Sequence, residues 1–112
     1  MSVDDSIVVL CTFPSLDKAR EIARVIVEKR LAACVNIVSG GVEPIYHWQD
    51  RIESDDEFLT LIKSTQACFE ELKQTIVELH PHDVPEVIAL PIIAGSETYL
   101  DWIQANVGSE TS

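Results

Sequence analysis

Two kinds of hydrophobic pattern follow each other at the start of the chain. Residues 7–13 form an apolar run, rich in β-branched side chains, that stops at Pro14. A run without a polar side predicts a strand that is buried on both faces near the middle of a sheet. From residue 16, apolar residues recur every three or four positions, which predicts an amphipathic helix over 16–32 with Ser15 as its N-cap.

The middle of the chain is predominantly extended. A strand-like pattern covers residues 34–48 and is interrupted by two glycines and by Pro44. Glycine and proline inside a strand indicate a bulge or an edge position. After a turn at 49–51, a further strand is predicted over 57–63. The two arms of this hairpin are long, since an average strand has about 5–6 residues.

The last part of the chain returns to an alternation of helix and strand. A helical pattern starts at Ser64 or Thr65 and stops at Pro81. A strand over 87–93 follows, and a short helix begins after Ser96. The predicted order is therefore β-α-β-β-α-β with an additional C-terminal helix.

This order predicts an α+β fold, a ferredoxin-like βαββαβ sandwich. Right-handed crossovers place the first and third strands in the centre of the sheet and the second and fourth at its edges. Pro44 and Pro91 fall in the two edge strands, where a missing backbone donor is tolerated. Residues 1–112 are expected to form one domain with a core over about 6–107. A long, bare edge strand favours a closed homo-oligomer.

Composition and charge narrow the possible partners. The 112 residues carry nineteen Asp and Glu against eight Lys and Arg, a net charge of −11 at pH 7. Such a chain repels phosphate, which excludes nucleic acid and anionic membranes as partners, and it attracts cations. Three scattered cysteines without a C-x-x-C pair fit a reducing compartment. Without a basic leader or an apolar run of about 20 residues, a cytoplasmic location is expected.

Several short segments match one protein family in order and spacing. They are Val8–Thr12, Arg30–Asn36, Ile45–Trp48, Leu61–Thr65, and His80–Pro81 with Val84–Ile88. In these segments the chain resembles the CutA divalent-cation-tolerance proteins. The resemblance implies a ferredoxin-like protomer and a homotrimer built through the long second and third strands, with an architecture similar to the PII signalling proteins. It also implies a link to tolerance of copper and other divalent metals.

The resemblance further implies a metal site. Cys11 matches a family cysteine proposed to bind copper, His80 matches the histidine before proline, and Glu57 matches an acidic position of the third strand. Thiolate and imidazole suit copper and zinc, so copper or another divalent metal ion is the expected ligand. Leu79 stands where some members carry another histidine. Two alternatives stay open: Cys11 as a buried structural cysteine, and His80, in a loop expected to be exposed, as a residue favoured by the helix dipole.

Four more residues are assigned to a cleft or interface between subunits. Tyr46 and Trp48 share one face of a strand, where aromatic side chains pack under a neighbouring subunit or line a ligand cleft. Lys63 is expected to form an ion pair with a carboxylate such as Glu86, or to line the same cleft with it. His47 points to the opposite face and is expected on the surface.

Two functional hypotheses follow. The first is a cytoplasmic homotrimer that binds copper or other divalent metal ions and contributes to the response to metal ions. The second is a PII-like trimeric signalling or scaffold protein that binds a small ligand or a partner in the cleft between subunits. No phosphate-binding, hydrolase or metalloprotease motif is present in the sequence, so an enzyme is not expected.

Overall fold

A computed structural model describes residues 5–108 of the chain as a mixed α+β fold. Its elements are β1 (Ser6–Phe13), α1 (Leu16–Glu28), β2 (Cys34–Ile37), β3 (Ile45–Trp48), β4 (Arg51–Ser54), β5 (Phe58–Thr65), α2 (Phe69–Leu79), β6 (Val87–Pro91) and α3 (Glu97–Asn106). Four strands form an antiparallel sheet in the order β2-β5-β1-β6, while β3 and β4 form a separate two-stranded ribbon. The predicted central position of β1 and β5 and the edge position of β6 are confirmed.

The core lies on one face of the main sheet. Alternate residues of β1, from Ile7 to Phe13, are buried there under α1 and α2. The intervening residues Val8 and Leu10 point to the second face and are only half-buried. The prediction that β1 is buried on both faces is therefore wrong for the single chain. Helices α1 and α2 cover the first face, and α3 contacts part of the second.

Helix α1 starts as predicted and ends earlier than predicted. The Ser15 side chain accepts a hydrogen bond from the backbone N–H of Lys18 at 3.1 Å, so the predicted N-cap is confirmed. The helix ends at Glu28 instead of residue 32, because Arg30 adopts a φ of +60°. The N–H of Arg30 and that of Leu31 then bond back to carbonyls of the last turn, at 3.0 and 2.9 Å. This is the Schellman arrangement, with arginine at the position that usually holds glycine.

Helix α2 begins later than the predicted start at Ser64 or Thr65. Ser64 and Thr65 belong to the end of β5, where the Ser64 hydroxyl donates to the Leu31 carbonyl at 2.6 Å. A short 3₁₀ turn separates this strand from the start of α2 at Phe69. The helix ends before Pro81, since the residue that precedes a proline is driven out of the helical region.

The long hairpin is divided into two parts. The predicted arms are interrupted, so β3 and β4 separate from the main sheet and connect to it through an isolated bridge between Val42 and Glu57. Gln49 and Asp50 both have positive φ and form the two-residue turn of the ribbon. All four residues of β3 are exposed in the single chain. The ribbon therefore extends from the domain with its apolar side chains in solvent.

Helix α3 lies at one end of the second sheet face. Leu100 and Ile103 are buried, and the Gln104 amide donates to the Ser6 hydroxyl at 3.2 Å. Arg30 holds the end of this helix, because its Nε donates to the Gly108 carbonyl and its Nη2 to the Ala105 carbonyl, each at 2.9 Å. No helix within residues 5–108 is long and apolar enough to cross a membrane.

Candidate functional site

Cys11 lies in the core and not in an open cleft. It points to the helix-covered face of β1 and is fully buried. Burial, followed by the negative charges of Glu86 and Glu57, raises the pKa of the Cys11 thiol to about 12. The thiol is therefore protonated at neutral pH, and a metal ion has to displace this proton to gain a thiolate ligand.

His80 is buried as well, which corrects the expectation that it lies in an exposed loop. Only 7% of the residue is exposed, and its ring stacks on that of Phe13 with a centroid distance of 5.0 Å. The Thr12 carbonyl lies 2.7 Å from Nε2, and the His82 backbone N–H donates to Nδ1 at 3.0 Å. Since Nδ1 accepts, Nε2 carries the proton and donates to Thr12. Burial is the main cause that lowers the pKa of His80, so the ring is neutral with both nitrogens in use.

Glu57 stands between these buried groups and the surface. Its backbone exchanges two hydrogen bonds with Val42, at 2.7 and 2.8 Å, and its side chain is 13% exposed. Oε2 lies 3.8 Å from Nδ1 of His82, whose side chain is 45% exposed. The charge of Glu57 acts on both the Cys11 thiol and the His80 ring. The three predicted metal residues thus share one end of the sheet.

These groups do not form a closed metal cage within a single chain. Across residues 5–108, no three His, Cys, Asp or Glu side chains converge closely enough to hold a metal ion. Structural metal sites usually have four protein ligands. Any site at this end of the sheet therefore needs water, a rearrangement of side chains, or a group from another chain.

The residues assigned to an interface lie on two separate surfaces. Tyr46 and Trp48 are exposed on the ribbon, and the Tyr46 hydroxyl donates to Asp55 at 3.2 Å. Lys63 lies on the second face of the main sheet, where its ammonium donates to the Asn36 side-chain carbonyl. The predicted Lys63 ion pair with Glu86 is not formed in the part of the chain that the structure describes, where the partner of Lys63 is Asn36 of the neighbouring strand β2.

Two contacts of the site were not anticipated. Glu86 immediately precedes β6, and the pairing of Val87 with Cys11 brings its carboxylate near the thiol. The register between β1 and β6, which creates this proximity, is not encoded in any local pattern. The partner of His80 is the backbone carbonyl of Thr12. Every residue has such a carbonyl, so the residue type at position 12 does not predict this contact.

Comparison with known proteins agrees with this architecture. The model of the family described as CutA1 divalent ion tolerance protein matches residues 7–106. The chain belongs to the CutA1 divalent ion tolerance family. The resemblance inferred from the sequence segments is thereby confirmed.

Individual CutA proteins are similar over most of the chain. The divalent-cation tolerance protein CutA of Thermus thermophilus is 52% identical over 101 residues, covering 90% of this chain and 97% of that protein. The solved structure of the Cut A1 protein from the same organism has a TM-score of 0.89 at 50% identity, covering 92% and 99% of the two chains. The CutA1 structure from Oryza sativa has a TM-score of 0.90 at 38% identity, covering 97% and 100%.

The names of related CutA proteins bear on location and activity. The chloroplastic protein CutA of Arabidopsis thaliana is 46% identical over 99 residues, which cover 88% of this chain and 54% of that protein. A CutA structure from Archaeoglobus fulgidus, with a TM-score of 0.88 at 34% identity over 92% and 99% of the two chains, is described as periplasmic. The cytoplasmic location of this chain therefore stays a prediction. The proteins of Thermus thermophilus and Archaeoglobus fulgidus are named for divalent cation tolerance and not for an enzymatic reaction.

Proposed function

We propose that this CutA1 protein is a cytoplasmic homotrimer that binds copper or another divalent metal ion and contributes to the response to metal ions. The observation that carries the proposal is the arrangement of Glu57, Cys11 and His80 at one end of the sheet, with the Glu57 charge acting on both other groups. The net charge of −11 supports it, because such a field raises the local concentration of cations.

The proposed ligands differ in how readily they can contact an ion. Glu57 can do so most readily, since part of its side chain is exposed. His80 must release either Thr12 or the His82 N–H, and Cys11 must lose its proton. Thiolate is a soft ligand that favours Cu(I), whereas carboxylate and imidazole suit divalent ions. Cys11 is thus suited to a soft ion such as Cu(I), which can reach the thiol only after a rearrangement of side chains.

The second face of the main sheet supports the trimeric part of the proposal. Val8 and Leu10 are half-buried there, and Ile88 and Leu90 of β6 are 50% and 49% exposed. Apolar residues on neighbouring strands make a continuous surface that is costly to leave in water. A further copy of the chain, which carries the same surface, is the proposed cover.

The β3–β4 ribbon supports the same assembly. A two-stranded hairpin alone is marginally stable in water. Ile45 and Ile52 are 70% and 64% exposed, and Tyr46 and Trp48 lie on its other face. We propose that the ribbon packs against a neighbouring subunit in a closed, PII-like trimer, where Tyr46 and Trp48 contribute to the interface.

Calorimetric titration tests the metal-binding proposal. Copper added to the wild-type protein at physiological ionic strength should give saturable binding, because a diffuse charge effect would be screened there. Glu57→Gln should weaken binding, while Glu78→Gln, a change of an exposed carboxylate on α2, should not. Heat that does not saturate, or equal affinities of the two variants, would contradict the proposal.

A second candidate function is a PII-like sensor that binds a small ligand between subunits. Lys63 supports it, because Asn36 holds its ammonium on the second face of the main sheet, opposite the half-buried Val8, where it can meet an anion. Tyr46, Trp48 and Glu86 are the other proposed cleft residues. A thermal-shift comparison of nucleotides and small anions with copper distinguishes the two functions. Stabilisation by a nucleotide with no effect of copper would favour the sensor.

A further inference from the structure

His82 offers an imidazole that the metal residues implied by family resemblance do not include. Its side chain is 45% exposed, and among the contacts of residues 5–108 its Nε2 has no partner. Nδ1 faces Oε2 of Glu57 at 3.8 Å. An accessible imidazole and a partly shielded carboxylate therefore meet at the surface of the site.

The distance between these two atoms is close to the separation expected for two ligand atoms that bind the same metal ion. Bonds from nitrogen and oxygen to a zinc-like ion are about 2.1 Å long, so tetrahedral geometry separates the two ligand atoms by about 3.4 Å. The observed 3.8 Å differs from this by about 0.4 Å, which a small side-chain rotation removes. A direct charged hydrogen bond would instead be shorter, at about 2.7–2.9 Å.

The backbone holds both side chains in place. The two hydrogen bonds between Glu57 and Val42 fix the residue that carries the carboxylate. The bond from the His82 N–H to Nδ1 of His80 fixes the loop, and His80 is itself held by Thr12 and Phe13. His80 thus acts as a support for the loop, and ligation through its Nδ1 would break that support.

We propose that Glu57 and His82 form the position where a divalent cation from solvent binds this protein, with water completing the coordination and with His80 as a positioning residue. This inference rests on the proposed metal-binding function and names its ligands. It differs from the set of Cys11, His80 and Glu57, because the buried thiol and the fully bonded imidazole are not ligands of the divalent ion. With two protein ligands, the site is an open one.

Titration with Co²⁺ tests this assignment, because cobalt reports its ligands through its absorption spectrum. The wild-type protein should bind Co²⁺ without a thiolate-to-metal charge-transfer band. His82→Ala should lower the affinity by about tenfold or more, as expected for loss of a direct ligand. His47→Ala, which removes an exposed imidazole from the ribbon, should change the affinity by less than about twofold.

The Cys11→Ser and His82→Gln variants complete the experiment. His82→Gln should weaken binding as His82→Ala does, and Cys11→Ser identifies the origin of any thiolate-to-metal band that appears. Wild-type affinity in both His82 variants, or a charge-transfer band that Cys11→Ser removes, would overturn the Glu57–His82 site while leaving metal binding by this protein intact. Failure of the wild-type protein to bind either Co²⁺ or copper would overturn the proposed function as well.

Discussion

Arg30 joins the ends of two helices, and its replacement measures what this connection contributes. The residue ends α1 in the left-handed conformation, with a φ of +60°. Its guanidinium donates to the carbonyls of Ala105 and Gly108 at the end of α3, and its own carbonyl accepts from the Gly108 N–H at 2.8 Å. A cation at a helix C-terminus is also favoured by the helix dipole. Arg30→Ala removes the side-chain contacts and keeps the unfavourable φ.

The expected loss of stability follows from these contacts. A hydrogen bond that involves a charged group contributes about 1.5–3 kcal/mol, and one of the two is exposed and therefore weaker. Arg30→Ala should lower the free energy of unfolding by about 2–4 kcal/mol. Arg30→Gly should lose about 0.5–1 kcal/mol less, because glycine adopts positive φ without strain, although it also increases the entropy of the unfolded chain.

Urea denaturation at one fixed protein concentration measures these differences, since assembly makes apparent stability depend on concentration. Hydrogen exchange adds a local readout: the amides of α3 should lose protection in both variants before those of β1. The reasoning is refuted if Arg30→Ala is as stable as the wild type, or if it is more stable than Arg30→Gly. Unchanged exchange in α3 would show that the Arg30 contacts do not hold this helix.

Three further predictions address the core, the pH dependence and the ribbon. Ile22→Ala, at a fully buried position, should reduce the unfolding free energy by about 2–5 kcal/mol, whereas the exposed Val27→Ala on the same helix should change it by under about 1, both measured by urea denaturation. Burial lowers the pKa of His80. As the pH falls through about 6.5, the unfolded chain therefore binds a proton at His80 more readily than the folded chain does. The melting temperature should therefore fall from about pH 7.5 to 5.5, and less so in His80→Phe; parallel curves would contradict this. Trp48→Asp should reduce the molecular mass in light scattering while the far-ultraviolet circular dichroism stays folded, and an unchanged mass would exclude Trp48 from the interface.

The arrangement of the elements was predictable because local patterns carry it. The apolar run of β1 and the three-to-four spacing of α1 both follow from regular backbone geometry, which directs side chains toward the core at fixed intervals. Ser15 was predictable as an N-cap since the cap acts within three residues. The proline in β6 indicated an edge strand because proline lacks a backbone donor.

The contacts that define the site were not predictable, because they join distant positions. His80 looks exposed in the sequence, next to a proline in a polar loop, yet its partner Thr12 is 68 positions away. The guanidinium of Arg30 similarly donates to the carbonyls of Ala105 and Gly108, which lie 75 and 78 positions later in the chain. Such contacts depend on the packing of whole elements, which a local hydrophobic pattern does not specify.

The second sheet face illustrates a different limit. An apolar run predicts burial but not which element covers the strand. A helix of the same chain and a neighbouring subunit both favour apolar side chains at the covered positions, so the sequence pattern is the same in both cases. Val8 and Leu10 were therefore expected to be buried, and the single chain leaves them half-buried. The proposed trimer assigns this surface to a neighbouring copy.

Sedimentation equilibrium of the wild-type protein at micromolar concentration tests the proposed trimer most directly. Each subunit presents an apolar sheet face and an exposed ribbon, so the predicted mass is three times the 12.5 kDa of one chain. A folded species of 12.5 kDa, stable alone at that concentration, would contradict the account.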